Sequence, residues 1–225
     1  YLRVKAPSAA QQVKMATSQD HCITLQGSAA IIHEYLTEYS SHSIIFQRGI
    51  YPASDFQPID YNGVPMMVSR DPRIKEYIDL IMEQVHDLIM KRMITKVTMC
   101  IVTVESKEVV ERWDFNIQPT YDGEQGEEPA VPKELKKIQS EIRDVMRQIV
   151  ATISFLPCLD QRCTFDIMLH TVGEVFEANP TMIKQFREED MASIEIEGAQ
   201  TIALKQFSTG LQTVDTKVVY RVTDP

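Results

Sequence analysis

Cysteine and histidine side chains are the groups in this sequence best able to bind a metal ion or to act as nucleophiles. They are Cys22, Cys100, Cys158, Cys163, His21, His33, His42, His86 and His170. No two cysteines have the CxxC spacing of zinc sites and thioredoxin-like redox motifs, and the histidines fall in different predicted elements. We therefore expect reduced, buried thiols and no metal site.

Catalytic motifs are absent from the sequence. It contains no GxSxG, no HExxH and no glycine-rich phosphate loop. The adjacent acids Glu188 and Glu189 belong to a charged run, 187–190, that is typical of a solvated surface. We therefore expect a protein that acts by binding rather than by catalysis, without a cofactor.

The composition indicates a folded protein that does not contact nucleic acid directly. Hydrophobic residues make up 44% of the 225 positions, which is enough for a sizeable core. The 23 basic and 32 acidic residues give a net charge of −9, so the basic excess needed for phosphate contacts is missing. No run approaches the roughly 18 apolar residues of a membrane span. The sequence thus predicts a soluble, intracellular protein.

Three stretches have the apolar spacing of amphipathic helices. In the first, apolar residues recur over positions 31–39, and Ser28 is available as the N-cap. The second begins after Asp71, another N-cap residue, and is predicted to end near Met93. The third is predicted over Lys133–Ser154, with its polar residues on the faces turned away from the core.

Strand patterns lie between and after these helices. Val97–Glu105 is almost continuously apolar or β-branched, and Trp113–Ile117 alternates apolar with polar residues, so the two predict an antiparallel hairpin. Phe165–His170 predicts another strand directly after the third helix. Two later runs, Ile202–Phe207 and Lys217–Val222, have β propensity without a fixed place in the sheet.

Two other segments are interpreted as lying outside the regular elements. Tyr121–Pro132 is rich in acidic residues, glycine and proline, and is interpreted as a surface loop. Residues 1–14 have little periodicity and precede Met15, a possible initiator, so they are interpreted as a leader separate from the domain over 15–225.

Trp113 is interpreted as a core residue with a satisfied indole N–H.

Five blocks in the same order resemble the mitotic-arrest-deficient-two proteins, a family of HORMA-domain spindle-checkpoint proteins. They are Ile23–Ser28, Phe46–Pro52, Glu108–Phe115, Ile142–Pro157 and Cys163–Asp166. The similarity extends over about 23–222. The family usually has Gly-Ile-Asn where this chain has Ser40-Ser41-His42, which concerns local packing.

This resemblance implies an α+β HORMA fold with three helices packed on a mainly antiparallel sheet. It also implies open and closed arrangements of the C-terminal region, 172–225, which is called the safety belt. In the closed form the belt would cross over a partner peptide paired beside Thr164–Thr171. Pairing of Lys217–Val222 next to that strand, or on the opposite side of the sheet, would distinguish the two arrangements.

The resemblance further implies three sets of functional residues. Those expected to contact the partner peptide are Phe165, Ile167, Met168, Leu169 and Trp113. Those expected at the centre of a homodimer of open and closed conformers are Arg147, Gln148 and Phe155. Those expected in the belt are Leu204, Phe207, Val218 and Tyr220.

The implied function is a spindle-checkpoint switch that traps peptides and sequesters the activator of the anaphase-promoting complex, delaying anaphase. Other implied partners are mitotic-arrest-deficient protein one, the comet adaptor and its AAA+ remodeller, and the implied locations are nucleus, kinetochore and cytoplasm. The main alternative is another HORMA protein, the accessory subunit of translesion polymerase zeta. A ligand-binding or catalytic α+β enzyme is the alternative from a different class. Finally, Tyr1–Pro7 resembles the partner motif and is hypothesised to occupy the belt site.

Overall fold

The computed structural model describes residues 22–61, 63–121, 130–172 and 194–222. Its α-helices are α1 (Leu25–Glu34), α2 (His42–Gln47), α3 (Pro72–Met90) and α4 (Leu135–Ile153). Its strands are β1 (Cys22–Thr24), β2 (Phe56–Tyr61), β3 (Val64–Ser69), β4 (Ile94–Thr103), β5 (Val109–Pro119), β6 (Ala130–Pro132), β7 (Cys163–Thr171), β8 (Ala199–Ala203), β9 (Phe207–Ser208) and β10 (Gln212–Arg221). A π-helix, Tyr35–Ser41, joins α1 to α2, and a short 3-10 helix covers Ala53–Asp55.

The main sheet is antiparallel throughout and has the strand order β7-β4-β5-β10-β8, with β9 also paired to β10. Two small antiparallel pairs, β1 with β6 and β2 with β3, lie outside it. The predicted hairpin is β4–β5, the predicted strand after the third helix is β7, and the later runs contribute to β8, β9 and β10. Helices packed on a mainly antiparallel sheet confirm the α+β prediction.

The two faces of the main sheet differ in character. On the inner face, Trp113 and Phe115 of β5 pack with Tyr35 and the buried stripes of the helices in one large apolar cluster. The outer face carries the alternate residues of the same strands. Ile194 and Ile196 pack there in a second, smaller apolar cluster. Strands β4 and β5 therefore lie inside the sheet between these two clusters, with β7 at one edge.

The first helix begins earlier than predicted. Thr24 is its N-cap, and its hydroxyl accepts a 3.1 Å hydrogen bond from the amide of Gly27. Ser28 is fully buried inside the helix, so the prediction of Ser28 as N-cap is wrong. Its hydroxyl is instead used in a long-range contact with Thr209, at 2.5 Å.

The Ser40-Ser41-His42 departure lies where the helix widens into its π-helical turn. The hydroxyl of Ser40 donates to the carbonyl of Tyr35 at 2.9 Å, and that of Ser41 donates to the carbonyl of Leu36 at 2.7 Å. Each bond reaches back five residues, the spacing of a π-helix. The serine pair therefore supports the local geometry of a helical stretch that runs from Leu25 to Gln47.

The helices α3 and α4 are close to prediction. Helix α4 covers Leu135–Ile153 of the predicted Lys133–Ser154. Asp71 caps α3 by accepting from the amide of Arg73 at 2.9 Å, and the helix ends at Met90, three residues before the predicted end. Arg92 follows with a positive φ of 57°, a conformation that stops a helix.

None of the helices within the described residues has both the length and the hydropathy to span a bilayer.

Two predictions about local structure are corrected, and one pair of strands was not predicted. The stretch interpreted as a loop contains β6 at Ala130–Pro132, and β6 pairs with β1. The hairpin of β2 and β3 was not predicted at all. All four cysteines are free. Cys100 and Cys163 are buried as expected, but Cys22 is only half-buried and Cys158 is exposed, so the prediction of burial is wrong for Cys158 and only partly met for Cys22.

Candidate partner-binding edge and C-terminal region

Strand β7 has one side paired and one side available. Its register with β4 places Val102 opposite Thr164. Two residues further along, the amide of Val104 donates to the carbonyl of Arg162 at 2.8 Å. Because hydrogen-bonded and non-hydrogen-bonded pairs alternate in an antiparallel ladder, Phe165 and Ile167 direct their backbone groups away from β4. Among the described residues no strand pairs with that side, so it is a template for an added strand.

The amide of Ile167 on this free edge is held by two side chains. It donates to the hydroxyl of Tyr77 at 3.2 Å and to Oδ1 of Asp166 at 2.8 Å. Tyr77 belongs to α3, donates its own hydroxyl proton to Asp166, and packs its ring edge-on to Phe165 with centroids 5.6 Å apart. Burial, and then Asp166, raise the pKa of Tyr77, so its hydroxyl stays protonated and remains a donor.

Four of the five residues predicted to contact a peptide lie together on β7. Phe165 and Ile167 are buried on the inner face, Leu169 is partly buried there, and Met168 lies on the outer face in contact with the second apolar cluster. Tyr77 and Asp166 were not among the predicted site residues. Their signal was weak, because one polar residue in a strand and one tyrosine beside the apolar stripe of a helix are ordinary surface features.

Trp113 does not belong with this group, and its assignment as a peptide contact is corrected. It lies on β5, which β4 separates from β7, and its side chain is fully buried. Its indole N–H donates to Glu111 at 2.7 Å, and Glu111 also pairs with the buried Arg48 at 2.9 Å. Arg48 in turn donates to the carbonyl of Pro157 at 2.7 Å, so Trp113 anchors a buried polar network in the core.

Strand β10 lies on the opposite side of the sheet from β7. It pairs with β5 over a long register in which Val218 faces Trp113. This arrangement leaves the outer edge of β7 without a paired strand among the described residues. Residues 173–193 and 223–225 of the predicted belt lie outside the described residues, as does the leader, 1–14.

The predicted belt residues fasten the C-terminal region to the sheet and helices. Val218 and Phe207 are almost completely buried, and the Phe207 ring packs on Tyr35 with centroids 4.8 Å apart. Tyr220 is also buried, and Leu204 is partly buried against the main core. The region is therefore an integral part of this arrangement.

A tight turn between β9 and β10 adds a polar anchor. The hydroxyl of Ser28 bonds to Thr209 and donates to the side-chain carbonyl of Gln212, which ties the turn to α1. Gly210 has a φ of +96°, and a Cβ built there would lie 2.6 Å from Cγ2 of Val131. Only glycine fits this close approach without a shift of the neighbouring chain.

The surface of α4 carries the residues predicted for dimerisation. Phe155, just after the helix, is 78% exposed, and Arg147 is exposed with an ion pair to Asp144 at 3.6 Å. Gln148 differs from the prediction that it lies exposed. It is half-buried, and its Oε1 accepts a 2.6 Å hydrogen bond from the amide of Lys205 in the C-terminal region.

Comparisons with known proteins agree with this geometry. The HORMA domain family model matches residues 28–212. The human mitotic spindle assembly checkpoint protein MAD2A is 33% identical over 205 residues, covering 91% of this chain and 96% of that protein. The mitotic spindle checkpoint component mad2 of Schizosaccharomyces pombe is also 33% identical, covering 88% and 94%. A chain in the crystal structure of the mitotic checkpoint complex superposes with a TM-score of 0.74 at 33% identity, covering 87% of this chain and 99% of that chain.

The fold and its free edge are thus those of a HORMA domain. The chain belongs to the HORMA domain family, and within it to the MAD2 spindle checkpoint proteins. The predicted family, fold class and role in the spindle checkpoint are confirmed.

Proposed function

We propose that this checkpoint protein traps an extended segment of a partner beside β7 and retains it under the C-terminal region. One observation carries the proposal: the backbone groups of β7 face an edge with no paired strand among the described residues, while β10 is bound on the far side of the sheet. An edge strand of this kind gives affinity through backbone hydrogen bonds, and the partner's alternate side chains give specificity.

The surroundings of the edge define what a partner must supply. Toward the inner face, the rings of Tyr51 and Tyr77 both pack edge-on to Phe165, with centroids 6.2 and 5.6 Å away. Toward the outer face lie Met168 and the exposed carboxylate of Asp166. A partner strand would therefore place apolar side chains against the aromatic group and needs a carbonyl opposite the amide of Ile167.

Retention follows from the way the C-terminal region is fastened. A partner held beneath it leaves only when part of the region unfolds locally, so release is slower than from an open groove. The anchors are buried, and Phe207 and Val218 have almost no exposed surface. Opening them costs much of their burial free energy, about 1.5–3 kcal/mol for each large apolar side chain.

The partners proposed on this basis are mitotic-arrest-deficient protein one and the activator of the anaphase-promoting complex, which the trapped state would sequester. The comet adaptor and its AAA+ remodeller would reopen the protein. The corresponding locations are the kinetochore, nucleus and cytoplasm. A second copy in the other conformer would bind across α4. The membership in the MAD2 branch favours these partners over translesion polymerase zeta.

The test compares the full chain with a chain that ends at Gly210. A labelled peptide from mitotic-arrest-deficient protein one is bound to each, and its release is followed after excess unlabelled peptide is added. The full chain should hold the peptide, whereas the shortened chain should release it rapidly while retaining helical circular dichroism. Equal, slow release from a folded shortened chain would contradict the trapping function. Binding of a polymerase zeta peptide instead would favour the alternative.

A further inference from the structure

Asp114 is a carboxylate with no exposed surface on the outer face of β5. The hydroxyl of Thr98 donates to its Oδ1 at 2.8 Å. Its Oδ2 has no hydrogen bond among the described residues and depends on two cations, Arg112 at 3.3 Å and Lys217 at 3.8 Å. Because a buried charge is costly unless it is compensated, the position of these cations matters to the energy of the fold.

Both cations connect Asp114 to the C-terminal region. Lys217 belongs to β10 and lies directly opposite Asp114 in the β5–β10 register. Arg112 uses a second nitrogen, Nη1, to donate to the carbonyl of Ile194 at 2.8 Å. The C-terminal region is thus held at two points, one in β10 and one where the chain lies on the outer face.

The network continues to the edge strand. Thr98 has a single hydroxyl proton, which it gives to Asp114, so its oxygen accepts from Nε2–H of His170 at 2.9 Å. Nε2 of His170 therefore carries a proton. Burial, aided by Lys96 and Arg112 and opposed by Asp114, lowers the pKa of His170 to about 4, which favours the neutral ring. Lys96 completes the set, 4.0 Å from Asp114. Side chains of β7, β4, β5 and β10 therefore form one polar chain across the sheet.

We propose that Asp114, Arg112 and Lys217 form an electrostatic latch that favours the arrangement with β10 beside β5. If β10 leaves β5, Asp114 loses Lys217, and Arg112 loses the carbonyl of Ile194 when that segment moves as well. The buried carboxylate then keeps only part of its compensation. The latch therefore raises the free energy of every arrangement in which β10 is detached.

The latch has a functional consequence that rests on the proposed trapping function. Because partner release requires the C-terminal region to open, a weaker latch should shorten the lifetime of a trapped peptide. The latch itself is independent of any partner, since every contact in it lies within this chain. A measurement on the protein alone can therefore overturn the latch without bearing on peptide trapping.

The experiment is a double-mutant cycle on the full chain, read by hydrogen–deuterium exchange of β10 and of β4. Lys217→Gln should speed exchange in β10 roughly 3- to 10-fold, a change typical of a coupled ion pair, and leave β4 unchanged. In the Asp114→Asn background, Lys217→Gln should instead slow exchange in β10. Lys217 then faces Arg112 and Lys96 without a carboxylate, so removing the lysine charge relieves repulsion. The matched control is Lys205→Gln, which removes an exposed ion pair with Asp144 at 3.4 Å in the same region.

Two outcomes would overturn the latch: an equal effect of Lys217→Gln in both backgrounds, or acceleration in β10 no greater than that from Lys205→Gln. If Asp114→Asn does not fold, the comparison of Lys217→Gln with Lys205→Gln still tests the latch. Separately, Lys217→Gln should release a trapped peptide from mitotic-arrest-deficient protein one several-fold faster than the unchanged chain. If the unchanged chain binds no such peptide, the trapping function fails while the exchange result stands.

Discussion

The backbone amide of Lys205 donates a 2.6 Å hydrogen bond to Oε1 of Gln148 on helix α4. The Lys205 side chain reaches the same helix, with its Nζ 3.4 Å from Asp144, and Asp144 also pairs with Arg147. The face of α4 proposed for dimerisation is therefore partly organised by the C-terminal region.

Arg147→Glu is predicted to weaken dimerisation while sparing peptide binding. Arg147 is exposed, whereas the β7 edge lies on another part of the fold, and the new carboxylate would lie beside Asp144. An arginine at the centre of an interface often contributes more than 2 kcal/mol, so the dimer dissociation constant should rise at least about tenfold. Sedimentation velocity measures the change.

Lys137→Glu is the matched control, since it makes the same charge change at another exposed position of α4. It should leave the dimer intact. Unchanged sedimentation of Arg147→Glu, or equal loss of dimer in both variants, would show that Arg147 is not at the centre of the interface.

Gly210→Ala is predicted to loosen the turn that leads into β10. The residue has a φ of +96°, and the new Cβ would meet Val131 at 2.6 Å. Backbone strain of this kind costs roughly 1–3 kcal/mol, so a trapped peptide should be released roughly 5- to 150-fold faster. Gly198→Ala is a close control, because Gly198 also has a positive φ, +67°, but nothing lies within 4 Å of its Cβ position. If both variants release peptide at the same rate, the contact with Val131 has no role.

Tyr77→Phe is predicted to make peptide association faster. The hydroxyl competes with an incoming carbonyl for the amide of Ile167, and the phenyl ring keeps its packing on Phe165. One hydrogen bond contributes about 0.5–1.5 kcal/mol net, which corresponds to roughly 2- to 12-fold in rate or affinity. Stopped-flow fluorescence with a labelled peptide measures the association rate. Tyr51→Phe, which alters the other tyrosine packed on Phe165, should have no such effect. Slower or weaker binding by Tyr77→Phe would contradict this prediction and show that the hydroxyl stabilises the complex with the peptide.

The regular, buried elements could be predicted from the sequence because their periodicity is set by burial. In the stripe predicted for α4, Leu135 is partly buried, and the other five residues are buried (Ile138, Ile142, Val145, Ile149 and Ile153). The strands β4, β5 and β7 follow their predicted alternation. The edge pairs β1–β6 and β2–β3 could not be predicted, because short strands containing proline, such as Ala130–Pro132, have the composition of turns.

Long-range contacts account for most of the remaining errors. Serine is a residue type favoured at N-caps, but Ser28 lies inside a helix capped by Thr24, and its hydroxyl bonds to Thr209, 181 residues away. Likewise, Asp166 and Tyr77 are 89 residues apart, and only the packing of α3 beside β7 brings them to the same amide. Local patterns carry no information on such pairs, so the strand that carries Phe165 and Ile167 was predictable, whereas the contacts of Tyr77 and Asp166 with its free edge were not.

Acid should destabilise this fold through its buried histidines, and His42 offers the clearest case. Its side chain is 1% exposed, and its Nδ1 accepts from the amide of Ser69 at 3.5 Å, a bond that requires the neutral ring. Burial, and then Lys75, lower the pKa of His42 from 6.5 to about 4. The unfolded chain therefore binds more protons between these two values. Stability from the neutral ring is fully present above pH 6.5 and is lost as the pH falls toward 4.

The full shift corresponds to about 3 kcal/mol, which is reached only below pH 4, and about 2 kcal/mol of it is lost between pH 7.5 and pH 5. His42→Asn keeps an acceptor near the Ser69 amide but cannot titrate. Urea unfolding at pH 7.5 and pH 5 should therefore show a smaller loss of stability for His42→Asn than for the unchanged chain. His86→Asn is the control, because His86 lies at a more exposed position, with 26% of its side chain accessible. An identical loss of stability in His42→Asn and the unchanged chain would assign the acid sensitivity to other groups, with His33 and His170 next to be tested, since burial lowers the pKa of each to about 4.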